Sequence, residues 1–78
     1  MRAQVKVLAF AQAHDRLGFR EIVVDCTATD TPRSIARRIA PGATLEGMRV
    51  AIDQEYTSWD APIGEGREIA VIPPVSGG

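Results

Sequence analysis

Hydrophobic positions along this chain fall into short stretches of period two, interrupted by two helical repeats. Val5, Val7 and Ala9 alternate with Lys6, Leu8 and Phe10, which predicts a first strand over residues 5–10 with both faces partly apolar. Such a strand suits the middle of a sheet, or a sheet whose second face meets another protein. Residues 11–17 favour a short helix, with Ala13 and Leu17 stacked four apart and Gly18 placed to stop it. Ile22, Val24 and Cys26 then alternate with Glu21, Val23 and Asp25 in a second strand over residues 21–26. The connection between these strands is too long for a tight hairpin.

The repeat changes at Thr31-Pro32. Thr31 is a natural N-cap, and Pro32 stands at the first helical position, where its missing N–H costs nothing. Ile35, Ala36 and Ile39 share one face of the predicted helix, Arg33, Arg37 and Arg38 mostly the other, and Pro41-Gly42 ends it. Period two returns with Met48, Val50 and Ile52 in a third strand over residues 48–52. A polar turn at residues 53–55 leads to a short strand over 56–58, and a loop over 60–66 leads to a last strand over 68–72. The order β-β-α-β-β-β places one main helix across a mixed sheet, an α+β arrangement of β-grasp (ubiquitin-like) type.

The last strand runs into Pro73-Pro74-Val75-Ser76-Gly77-Gly78. Proline fixes φ and has no N–H for a ladder, so the prolines end the sheet and bias the chain toward an extended path. Gly77 and Gly78 carry no side chain, which suits entry into a narrow channel. The expected division is a domain over residues 1–73 and a flexible tail over 74–78. A Gly-Gly end is by itself also the composition of an ordinary frayed terminus.

Composition narrows the functions available. A chain of 78 residues, 45% hydrophobic, is one small folded domain with a modest core. Nine basic and ten acidic residues give a net charge of -1, so no global field draws nucleic acid or a membrane surface. The single cysteine, Cys26, forms no internal disulfide and no zinc cluster, and the N-terminus lacks the apolar run of a signal peptide. A cytoplasmic protein with no bound cofactor and no metal is expected. Arg33, Arg37 and Arg38 read as a solvated helix face, His14 as a surface histidine without a nucleophile beside it, Cys26 as an inert thiol, and Tyr56 and Trp59 as caps on the core edge.

Three stretches together resemble the MoaD family, the small subunits of molybdopterin synthase. They are Val7-Leu8-Ala9-Phe10-Ala11-Gln12-Ala13, the turn from Asp60 to Ile69, and the terminal Ile72-Pro73-Pro74-Val75-Ser76-Gly77-Gly78, of which the last is the most specific. His14-Asp15 stands where that family usually has Arg-Glu, and Ala9 where an aromatic is common. The resemblance implies a sulfur carrier that has no turnover of its own, being one part of a sulfurtransferase whose active site lies on the large subunit. An E1-like enzyme would adenylate the Gly78 carboxylate with ATP, and a sulfur donor protein would convert it to a thiocarboxylate. That group would donate sulfur to cyclic pyranopterin monophosphate in molybdenum cofactor biosynthesis, within a heterotetramer with the large subunit. Gly78 is then the reactive residue, and Pro73, Pro74, Val75, Ser76 and Gly77 guide it.

A carrier handed between enzymes needs a docking surface. Leu8, Phe10, Ala70 and Ile72 share one phase, opposite a core set of Val5, Val7, Ile69 and Val71. They form either an apolar patch for a partner or, if the helix around Ala13 and Leu17 lies over them, part of the interior. Three other functions remain open: a sulfur carrier for thiamine, cysteine or tRNA thiolation, a ubiquitin-like protein modifier, and an interaction domain whose Gly-Gly end is incidental.

Overall fold

A computed structural model describes residues 3–73, so Pro74, Val75, Ser76, Gly77 and Gly78 lie outside the described residues. The chain forms strands β1 (Ala3–Ala9), β2 (Glu21–Cys26), β3 (Arg49–Ile52), β4 (Glu55–Thr57) and β5 (Glu68–Ile72), with helices α1 (Gln12–Leu17) and α2 (Pro32–Ile39). The five strands make one sheet in the order β2-β1-β5-β3-β4, in which β1 and β5 are parallel and the other pairs antiparallel. With α2 laid across one face, this is the expected β-grasp.

Strand register explains which face is filled. Val7 pairs with Ile22 and Ile69, and Ile69 with Ile52, so one row of branched apolar side chains crosses four strands. A parallel row holds Ala9, Val71 and Val50. Ile35 of α2 and Ala13 and Leu17 of α1 close over these rows in a single core with Val5, Cys26, Met48 and Ile63. The four expected core residues Val5, Val7, Ile69 and Val71 are all at most 2% exposed.

Helix α2 starts where its sequence dictates. The Thr31 hydroxyl accepts from the Ser34 N–H at 3.0 Å, and the Ser34 hydroxyl accepts from the Thr31 N–H at 2.9 Å, a reciprocal cap that satisfies two end donors. The Ser34 hydroxyl also donates to Asp30 Oδ1 at 2.8 Å. At the end of α1, Gly18 adopts φ 87, the left-handed stop its position predicts.

Four local expectations differ. Strand β1 starts at Ala3 and ends at Ala9, because Ala11 turns the chain at φ 46 and leaves Phe10 beyond the strand. Met48 precedes β3 instead of opening it. The turn after β3 takes only Asp53 and Gln54, both at positive φ, so β4 begins at Glu55 and ends at Thr57. Tyr56 does not cap the core edge: it pairs with Ala51 on the other face and is 64% exposed.

Candidate functional site: the root of the tail and the open sheet face

Strand β5 lies in the interior of the sheet, between β1 and β3, so the chain leaves from the middle of one sheet end. Ile72 pairs with Arg49 on one side, and on the other the Phe10 N–H donates to the Val71 carbonyl at 3.1 Å. Pro73, half-buried, then ends the ladder because it has no N–H to give. The root of the tail is thus held on both flanks by paired strands.

Beside that root, the face of the sheet away from α2 carries a second set of rows. Leu8 pairs with Ala70, Ala70 with Ala51, and Ala51 with Tyr56, one row across four strands. Ala70 and Ala51 are buried, yet neither belongs to the core that α1 and α2 cover. Their methyl groups form a shallow floor between larger neighbours, with half-buried Leu8 on one side and Tyr56 on the other. Ala13 and Leu17 are turned into the core instead, so α1 does not lie over this row. Toward the tail the floor continues to half-buried Ile72, with Phe10 48% exposed. The Arg49 guanidinium sits over the Tyr56 ring, 5.5 Å from its centroid, a favourable cation–π position that fixes both side chains at this edge.

The sequence reading grouped Leu8, Phe10, Ala70 and Ile72, and the register brings Leu8 and Ala70 into direct pairing. It left out Ala51, Arg49 and Tyr56. The alternation of Met48, Val50 and Ile52 already placed Arg49 and Ala51 on the opposite face, and that signal went unused.

The remaining polar candidates are engaged locally. Arg33 makes a two-pronged ion pair with Asp60 at 2.8 and 3.3 Å, which lowers the Asp60 pKa. Arg38 donates to the Asp25 carbonyl at 3.0 Å and stands 3.4 Å from Asp30. Asp30 is held below the usual carboxylate range, chiefly by the Thr27 N–H at 2.9 Å, with Ser34 and Arg38 adding to it. His14 lies 3.1 Å from Asp15 at the surface. Cys26 is buried, and burial pushes its thiol up, which makes it a poor nucleophile. Among the described residues no cluster of three or more His, Cys, Asp or Glu could hold a metal ion, and no helix is long and apolar enough to cross a membrane.

Known proteins share this chain's pattern over nearly its whole length. The model of the ThiS family matches residues 7–78. The molybdopterin synthase sulfur carrier subunit of Dictyostelium discoideum is 36% identical, with all of both chains covered. Its counterpart of the same description in Arabidopsis thaliana is 30% identical over 96% of this chain and 83% of that one. Among solved structures, SAMP1 of Haloferax volcanii, a small archaeal modifier protein, superposes with a TM-score of 0.74 over 97% of this chain and 100% of that one, at 22% identity. That structural likeness bears on the fold.

Proposed function

We propose, from the premise that this chain belongs to the ThiS family, that it is the sulfur-carrier small subunit of a molybdopterin synthase. The observation that carries this reading is full-length similarity to proteins of that description, together with a Pro-Pro-Val-Ser-Gly-Gly end that follows directly on an interior strand. The chain supplies a firmly rooted arm and a face for docking; the pocket in which sulfur reaches its acceptor belongs to the large subunit.

The chemistry explains the shape of the arm. A carboxylate is a poor electrophile, so sulfur cannot replace its oxygen until ATP and an E1-like enzyme convert it to an acyl-adenylate with AMP as leaving group. A sulfur donor protein then yields the Gly78 thiocarboxylate, whose sulfur must be oriented against its acceptor, cyclic pyranopterin monophosphate. Glycine at the end gives clearance in both enzyme channels, and extended backbone can bond to channel walls as an added strand does. Proline ahead of it lowers the entropy lost on insertion. Leu8, Ala70, Ala51 and Ile72, flanked by Phe10 and Tyr56, are the surface both enzymes would cover, since an apolar floor beside the root of the arm fixes its direction of entry.

The test is the intact mass of the protein after incubation with its activating enzyme, ATP and a sulfur source. A gain equal to one oxygen exchanged for sulfur, mapped to Gly78, is the expected result. Unchanged mass together with covalent conjugates to other proteins would replace the carrier reading with that of a modifier.

A further inference from the structure

The nine basic residues comprise eight arginines and a single lysine, Lys6. The distinction matters for a chain whose carboxylate is activated. An acyl-adenylate acylates amines readily, whereas a guanidinium stays protonated and does not attack. Cys26 offers no competing thiolate, being buried with its thiol pushed up. Lys6 is therefore the one side-chain amine of this chain that an activated tail can acylate.

Its position gives that chemistry a consequence. Lys6 is exposed on β1, paired with Val23 of β2 and Glu68 of β5, on the same face as Leu8 and one row beyond the Leu8–Ala70 row. From Glu68 the strand runs five residues to Pro73, about 16 Å, and residues 74–78 have a contour of about 17 Å. To reach the lysine of its own chain the tail would have to reverse at Pro73-Pro74, a pair that favours an extended path, and run back along the sheet, so a second copy is the favoured donor.

We infer that Lys6 is a modification site, acylated by the activated carboxyl terminus of a second copy of this chain, and that this acylation and docking on the open face exclude one another. The inference rests on the reading of Gly78 as the adenylated residue. The Lys6 amine attacks the carbonyl carbon of the Gly78 acyl-adenylate. A C–N bond forms, the bond from that carbon to the AMP oxygen breaks, AMP leaves with the electron pair, and the nitrogen sheds one proton to water. The product is an isopeptide between two carriers, standing beside the floor a synthase subunit would cover.

The experiment incubates the full chain and its Lys6→Arg variant with the adenylating enzyme and ATP but no sulfur donor. It measures pyrophosphate release, intact mass and peptide maps, with and without excess synthase large subunit. The expected result is a species of two chains less one water, linked Gly78 to Lys6, absent from Lys6→Arg at equal pyrophosphate release and suppressed at least tenfold by the large subunit. The same yield of linked species in Lys6→Arg, or pyrophosphate release with no linked species, overturns the site. A linked species that the large subunit does not suppress overturns the mutual exclusion. No pyrophosphate release from either protein removes the adenylation premise and the inference with it.

Discussion

Leu8 and Ala70 stand opposite each other in the parallel β1–β5 ladder, on the sheet face that neither helix covers. Leu8 is half-buried there and does not belong to the core cluster, so its side chain contributes little to the core and is available to a partner. Leu8→Glu should leave the fold intact, shifting unfolding free energy by under about 1 kcal/mol. It should weaken association with the synthase large subunit at least ~10-fold, because an unpaired charge would be buried in an apolar contact. Urea denaturation and titration calorimetry read the two effects separately; equal losses in both would mean that Leu8 is core.

Removal of Gly78 tests the arm without touching the domain. The residue lies beyond the last strand, which ends at Ile72, so circular dichroism and the urea midpoint should match those of the full chain. Sulfur incorporation, followed as the mass gain in the presence of activating enzyme and sulfur source, should be lost. A shortened chain that still accepts sulfur and supports synthase turnover would exclude Gly78 as the reactive residue.

Much of this organisation was legible from alternation and punctuation. The bounds expected for β2 and β5 are those found, because Glu21–Cys26 alternates with period two and the apolar run of β5 is bounded by Glu68 and Pro73. The start of α2 was legible because Thr31-Pro32 carries its own capping chemistry. The β3–β4 turn was harder: Asp53 and Gln54 take positive φ without being glycine, and Asp53 is held there by accepting from the Arg67 and Glu68 N–H groups at 2.9 and 3.0 Å. That is a tertiary constraint no local pattern reveals. The composition of the open sheet face was half legible, since phase grouped Leu8 and Ala70 but only strand order could bring Ala51 and Tyr56 beside them.

Asp30 ties the loop before α2 to acid stability. Its carboxylate accepts from the Thr27 N–H and the Ser34 hydroxyl, and its folded pKa is lowered below the unfolded value. A depressed carboxyl contributes stability that is fully present above the unfolded value, near 3.9, and is lost as pH falls through the folded one. Asp30→Asn should therefore cost roughly 1–2 kcal/mol at pH 7. The gap between variant and native protein should close as pH is lowered below about 4. Urea midpoints measured from pH 7 down to pH 2 check the sign; a gap that widens in acid would contradict it.

Gly66 is required by close approach and not by an unusual φ. A Cβ there would stand 2.5 Å from the Ile52 side chain and 3.0 Å from the Ile63 carbonyl. The first contact is a methyl on a β-branched strand residue, stiff at χ1, and the second is backbone, so neither neighbour can give way cheaply. Ile52 pairs with Ile69 of β5, the strand that roots the tail, and Ile63 lies in the core. Gly66→Ala should destabilise the domain by roughly 1–3 kcal/mol through overpacking. Since a Cβ at Gly66 would press on Ile52 and Ile63 and not on Leu8, Ala70 or Ala51, binding to the large subunit at a temperature where the variant remains folded should be unchanged. A stable Gly66→Ala protein with weakened binding would place this loop in the interface instead of beneath the sheet.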